Sequence, residues 1–235
     1  MAIYLKKRGY NVTMYERRSD MRATGAAEGR SINLALSNRG LKPLAEVGLE
    51  KEVAEMVIPM NGRVMHSVEG HLTFQPYGKE GQFINSISRG GLNALLMDKA
   101  EALGVEIVFD HKCLDVNLEQ TEVRLEHNGV EKVISADLII GTDGAYSSIR
   151  TALQKTDRFN YHQRYIDHGY KELSIPPAED GGFLIEKNAL HIWPRGNYML
   201  IALPNIDGSF TVTLFFPFEG EKSFATINTD KEVTA

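Results

Sequence analysis

Thirteen consecutive residues, Leu138-Ile-Ile-Gly-Thr-Asp-Gly-Ala-Tyr-Ser-Ser-Ile-Arg150, constrain the fold of this chain more than any other stretch. Residues 137–141 read as a short, buried, apolar strand that delivers Asp143-Gly144 at its carboxyl end, with a helix starting from Ser147. Open α/β sheets bind ligands outside the carboxyl ends of their strands. Gly144 lets a ligand approach the backbone, and Ser147 and Ser148 either cap the helix or reach a phosphate. A plain strand–turn–helix with a capping serine has the same local pattern, so on these residues alone both readings stand.

The start of the chain points to the same class of fold. Residues 1–8 read as the end of a helix, with Lys6, Lys7 and Arg8 in its last turn and Gly9 as its stop. Residues 11–16 follow as a strand ending in Glu16. Helix, glycine, strand, acid is the second half of a βαβ unit, in which the acid accepts hydrogen bonds from adenosine ribose hydroxyls. Glu16 and its neighbour Arg17 are therefore candidate cofactor contacts; an exposed strand-end acid beside a solvated Arg17-Arg18 pair is the other reading. The first strand and Gly-rich turn of such a unit are expected before residue 1, since no G-x-G-x-x-G occurs in the 235 residues.

Further along, residues 38–49 and 89–103 read as amphipathic helices, the second with Leu92, Leu95, Leu96, Ala100 and Leu103 on one face. Strands are expected at 64–68, 71–74, 83–88, 105–109 and 121–126, and at 132–136 after an Asn128-Gly129 hairpin turn. From about residue 160 the βα alternation gives way to strands at 170–176, 183–186, 189–193, 198–203 and 210–216, the pattern of an antiparallel sheet. Both ends read as cut, with no core-closing element in the tail 227–235.

Composition sets the outer limits. With 43% apolar and 24% charged residues the chain is globular, and its net charge of −5 argues against nucleic acid as a partner. One cysteine, Cys113, makes no internal disulfide and fits a reducing cytoplasmic setting. No apolar run approaches the roughly 20 residues of a membrane-spanning helix. The seven histidines show no metal-ligand spacing, so no metal is expected.

Several motifs then occur in order: Arg30-Ser-Ile-Asn-Leu-Ala-Leu-Ser37, Ile58-Pro-Met60, Pro76-Tyr77-Gly78, Ser86-Ile-Ser-Arg89, His168-Gly-Tyr170, Leu190-His-Ile-Trp-Pro-Arg195, Ile201-Ala-Leu-Pro-Asn205 and Phe210-Thr-Val-Thr-Leu-Phe215. Together with the Asp143-Gly144 turn, which resembles the Asp-Gly motif of class A flavoprotein hydroxylases, they resemble the kynurenine 3-monooxygenase family from near residue 1 to about residue 220. The resemblance implies a mixed α/β (α+β) fold like that of para-hydroxybenzoate hydroxylase. In it, a Rossmann-like FAD/NAD(P)-binding βαβ domain (residues 1–56 and 85–158) is interleaved with an antiparallel-sheet substrate domain (57–84 and 159–220), followed by a tail at 221–235. Relative to that family, the first β-strand and the C-terminal part are expected to be missing.

The resemblance also implies roles. Arg63 and Tyr77 fall where the family binds the amino-acid carboxylate of L-kynurenine, a task suited to a guanidinium fork and a phenol. Ala35, Arg89, Cys113 and Ser148 fall at FAD-contacting positions, and Asp143-Gly144 at the turn contacting FAD and NAD(P)H. Leu190, Ile201, Leu203 and Phe215 line the aromatic pocket, or form ordinary sheet core. The implied activity is FAD-dependent, NADPH-using hydroxylation of L-kynurenine at ring position 3 with O₂; the flavin carries the redox chemistry, so no catalytic side chain is expected. With the Gly-rich loop absent, this polypeptide is expected to bind FAD weakly or not at all and, as an incomplete piece of such an enzyme, to be inactive. A related hydroxylase of another aromatic acid, and a non-catalytic remnant that binds an aromatic amino acid or a partner, are the alternatives.

Overall fold

The structure is a computed structural model that describes residues 1–23, 33–79, 81–227, 229 and 232. In chain order the first elements are α1 (Ala2–Lys7), β1 (Thr13–Tyr15), β2 (Asn33–Leu36), α2 (Asn38–Glu46), α3 (Glu50–Ala54), β3 (Val57–Met60), β4 (Gly62–His66), β5 (Leu72–Pro76) and β6 (Ile84–Ser88). There follow α4 (Arg89–Ala102), β7 (Glu106–Val108), β8 (Lys112–Asn117), β9 (Glu122–His127), β10 (Val130–Ser135) and α5 (Ser148–Leu153). Four strands close the series: β11 (His168–Ile175), β12 (Ala189–Arg195), β13 (Tyr198–Pro204) and β14 (Phe210–Pro217). The chain divides into two compact units, one of residues 1–25 and 96–164, the other of residues 26–95 and 165–235. The first three residues of the Arg30–Ser37 motif and most of the tail beyond 227 lie outside the described residues.

In the first unit, α1 ends as its sequence dictates. Gly9 takes φ +86°, and the N–H groups of Gly9 and Tyr10 return to the carbonyls of Lys6 and Leu5, closing the last turn. β1 then pairs in parallel with β7, Met14 opposite Ile107. A separate antiparallel sheet, in the order β10-β9-β8, carries α5. Its core joins Val116, Val123 and Leu125 to Ala152, with Cys113, Ile134 and Ile139 packed around them. Asn128 and Gly129 both have positive φ, as a tight two-residue hairpin requires.

The second unit holds a three-stranded antiparallel sheet, β2-β6-β3, and a six-stranded sheet in the order β11-β14-β13-β12-β4-β5. Each neighbouring pair in the larger sheet is antiparallel except β12 and β4, which run parallel with Leu190 beside Arg63. A long connection separates these two strands in sequence, so nothing forces the reversal that a short hairpin imposes. Asn33 ties the smaller sheet to the end of β13: its Nδ2 donates to Ser86 Oγ, the Pro204 carbonyl and Asn205 Oδ1.

Two strands expected from the sequence are not strands. Residues 137–141 have no ladder partner among the described residues, and Leu138 and Ile140 are exposed rather than buried. An apolar run becomes a strand only where a neighbour takes up its N–H and C=O groups. Residues 183–186 alternate as a strand would, but Phe183 and Ile185 pack onto the core cluster of Ala202, Phe210 and Val212 from an irregular segment. The helix expected over 38–49 ends at Glu46, and α3 follows as a separate short helix.

Phe210 is fully buried, with Phe183 and His191 set edge-on to its ring. Phe210→Ala is expected to cost about 3–5 kcal/mol in urea unfolding, against less than about 1 kcal/mol for the exposed Phe74→Ala. Equal midpoint shifts in the two variants would show that this cluster is not the core.

Candidate functional site

In the first unit the Asp143-Gly144 turn is built by hydrogen bonds from the helix that follows it. Ser147 is the N-cap of α5, its Oγ accepting from the Arg150 N–H at 2.9 Å while its hydroxyl donates to Asp143 Oδ1 at 2.5 Å. Asp143 Oδ2 accepts from the Ile149 N–H at 3.2 Å. Partial burial pushes the Asp143 carboxyl up. The hydrogen bonds from Ser147 and from the backbone of Ile149 and Ser148 outweigh it and leave the group below the usual carboxylate range. The Arg150 guanidinium donates to the carbonyls of Gly144 and Ala145, fixing the turn from the other side.

Gly144 has φ +77°, and a Cβ there would meet nothing within 4 Å, so its backbone faces open space. The turn borders an open cleft of about 460 Å³ lined also by Val116, Thr121, Leu138, Ile149 and Leu153. Ser148 donates to the Cys113 carbonyl at 2.9 Å, so its hydroxyl is engaged with β8. Cys113 is partly buried; burial, then the charges of Asp143 and Asp115, pushes its thiol up, away from thiolate reactivity.

Glu16 follows directly on β1, at the carboxyl end of the parallel β1–β7 pair. Its Oε1 accepts from both the N–H and Nε of Arg18, each at 2.9 Å. Burial pushes this carboxyl up, but the Arg18 hydrogen bonds and the Arg18 and Arg17 charges prevail and hold it down. Arg17 is exposed beside it. An ionised acid therefore stands at the strand end, where a ribose would need an acceptor.

In the second unit, the sheet register decides which side chains share a face. Residues directly opposite in a ladder point the same way, and neighbours along a strand alternate. Arg63 lies beside Leu190, Ile192 beside Ile201, Ile201 beside Thr213, Leu203 beside Thr211, and Met199 beside Phe215. Arg63, Leu190, Ile201, Leu203 and Phe215 thus share one face, with Met65, Ile192 and Thr213 among them. The opposite face carries the core cluster of Ala202, Phe210 and Val212.

Tyr77 follows β5, and the Arg63 guanidinium carbon stands 5.1 Å from the centre of its ring. The Tyr77 hydroxyl is buried and makes no hydrogen bond among the described residues. Burial pushes this phenol up, and the Arg63 guanidinium partly opposes the shift. Ala35, on β2, is paired with Ser86, and Arg89 is the first residue of α4; both are exposed.

A family model for an FAD binding domain matches residues 1–186. The chain belongs to this FAD-binding family. Among curated proteins it is 49% identical to a kynurenine 3-monooxygenase of Christiangramia forsetii over 99% of its length, and 48% identical to one of Myxococcus xanthus over all of it. In both cases it spans 52% of the relative, about half its length. Among solved structures it resembles the tetrameric form of 2-methyl-3-hydroxypyridine-5-carboxylic acid oxygenase, with a TM-score of 0.74 at 21% identity over 92% of this chain and 55% of that one. It also resembles Pseudomonas aeruginosa PqsL in complex with 2-aminobenzoylacetate, with a TM-score of 0.68 at 18% identity over 92% of this chain and 57% of that one. At these identities the two structures speak for the fold, the mixed α/β hydroxylase architecture with its sheet-built second part.

The first unit fits a flavin dinucleotide in two respects: the open space at Gly144 admits a ligand to the backbone, and Glu16 offers an ionised acceptor. Sequence reasoning missed Met65, Ile192 and Thr213. Strand alternation carried their signal, because Met65 lies two residues from Arg63, Ile192 two from Leu190 and Thr213 two from Phe215.

Removal of the Ser147 hydroxyl in Ser147→Ala deletes the cap and the Asp143 contact together, and is expected to cost about 0.5–2 kcal/mol at pH 7. Because the folded state depresses the Asp143 carboxyl, its contribution is full above the unfolded value of about 3.9 and is lost as pH falls through the folded one. The stability gap between the wild type and Asp143→Asn should therefore close on acidification below that value. Urea midpoints across a pH series check both; a gap that stays constant with pH would contradict this assignment.

Proposed function

We propose that the protein acts in FAD-dependent, NADPH-using hydroxylation of L-kynurenine at ring position 3. The observation that carries this reading is the sheet face on which Arg63, stacked against Tyr77, adjoins the apolar strip of Leu190, Ile201, Leu203 and Phe215. A substrate with a carboxylate at one end and an aromatic ring at the other matches that sequence of groups. Arg63 pairs with the carboxylate, and the Tyr77 hydroxyl beside it adds a hydrogen bond. The apolar strip orients the ring and excludes water from it. The kynurenine 3-monooxygenase relatives, matched over the whole chain, favour this substrate over other aromatic acids.

Bound FAD supplies the electron transfer from NADPH and the oxygen chemistry. The chain's own part is to hold it: Glu16, with Arg17 beside it, at the adenosine ribose, and the Gly144 backbone, set by Asp143, Ser147 and Arg150, at the cofactor. Cys113 and Ser148 adjoin that turn. On this reading residues 1–56 and 85–158 serve the cofactor and residues 57–84 and 159–220 the substrate. The lone cysteine fits a cytoplasmic setting; among the described residues no helix is long and apolar enough to cross a membrane.

The test is NADPH oxidation dependent on L-kynurenine, with FAD added and 3-hydroxykynurenine measured as product. Arg63→Ala is expected to raise KM by at least about tenfold while lowering kcat less, as loss of an anchoring contact does. Protein shown to carry stoichiometric FAD that neither binds L-kynurenine nor oxidises NADPH faster in its presence would overturn the proposal.

A further inference from the structure

On the side of the six-stranded sheet opposite Arg63 and Leu190, two imidazoles meet. His66 Nε2 and His191 Nδ1 are 2.8 Å apart, and His191, 1% exposed, places its Nε2 2.7 Å from the Glu186 carbonyl. A carbonyl only accepts, so His191 Nε2 carries the proton, its Nδ1 accepts, and His66 Nε2 is the donor. The His66 ring stacks on Trp193 at 4.1 Å, and Phe210 meets His191 edge-on. Arg195 donates to the carbonyls of His66 and Ser67, holding the end of β4 to β12.

The pair bridges β4 and β12, which form the parallel seam of the sheet. Parallel ladders are slightly less stable per residue than antiparallel ones. The seam is also where the candidate substrate face changes character: Arg63 precedes His66 by three residues on one side of it, and Leu190 precedes His191 by one on the other.

We propose that the His66–His191 hydrogen bond is a positioning clasp that fixes the spacing between the Arg63 guanidinium and the Leu190–Ile201 wall, and so selects ligands by the length between carboxylate and aromatic ring. This rests on the reading of that face as the kynurenine site. The clasp is asymmetric toward protons. A proton added to His66 enters at Nδ1 and leaves the Nε2–H in place, whereas a proton added to His191 sets two donors against each other. Burial holds both rings toward neutrality; the charges of His191 and Arg195 add to this at His66, and Glu186 opposes it at His191.

The test compares His66→Ala, His66→Gln and Arg63→Ala for binding of L-kynurenine and of the shorter 2-aminobenzoate, with emission of Trp193, the single tryptophan, as the monitor of the cluster. His66→Ala is expected to weaken kynurenine binding by on the order of tenfold and 2-aminobenzoate binding less, since small misplacements of an anchor cost that much or more. His66→Gln, whose amide restores an N–H donor, should stay within about threefold of wild type. In the wild type, acidification below the ordinary imidazole value should quench Trp193 while kynurenine affinity holds. Should His66→Ala fail to fold, the glutamine variant and the wild-type titration decide alone.

Unchanged binding in His66→Ala, or glutamine as poor as alanine, overturns the clasp, as does affinity that falls in step with Trp193 quenching. If Arg63→Ala weakens kynurenine while His66→Ala does not, the clasp falls and the site stands. If Arg63→Ala binds kynurenine as the wild type does, the site itself falls, and the clasp with it.

Discussion

The parallel pairing of β4 with β12 is the constraint on which the second unit depends. It takes residues 62–65 and sets them beside residues 189–192, so that a hairpin from early in the chain becomes the flank of a four-stranded antiparallel sheet formed much later. With that register, Arg63 falls beside Leu190, and the alternation of β13 and β14 places Ile201, Leu203 and Phe215 on the same side. A slip of one residue would send Arg63 to the core face and bring Val64 out. An unpaired guanidinium in the buried place of Val64, beside His191, would be strongly unfavourable, so burial on that face enforces the register.

The first unit solves a different problem with hydrogen bonds in place of apolar packing. The Asp143-Gly144 turn is exposed and follows a segment with no ladder partner among the described residues, yet both Asp143 oxygens accept hydrogen bonds, and Arg150 engages two successive carbonyls. A turn over-determined in this way can present backbone groups to a ligand without an enclosing sheet. Its anchor is modest, a six-residue helix resting on β8 through Ala152 and the hydrogen bond from Ser148 to the Cys113 carbonyl.

What was legible in the sequence was local chemistry. The Gly9 stop, the Asn128-Gly129 turn and the capping Ser147 each act within a few residues, and each has the geometry its residue type requires. β3 was hidden by Pro59, which argues against a strand but is tolerated on the edge of its sheet. β8 was hidden by an irregularity between Cys113 and Asp115 that breaks its alternation. The segment 183–186 misled in the opposite direction, its alternation serving packing rather than a ladder. As for the candidate site, the family resemblance supplied Arg63, Tyr77 and the apolar residues. Their common face, and the pairing of His66 with His191, depend on a register between strands far apart in sequence, which no local pattern encodes.

That separation has a cost in time as well as in geometry. During synthesis the β4–β5 hairpin emerges well before its partner β12, which lies more than a hundred residues downstream. At about 5–20 residues per second the hairpin waits on the order of ten seconds with its β4 edge unpaired. Even in the finished fold, Leu72 and Phe74 on β5 remain exposed. A nascent chain of this kind therefore carries an open, partly apolar strand edge through much of its elongation, the condition under which chains pair with the wrong neighbour and chaperones are engaged.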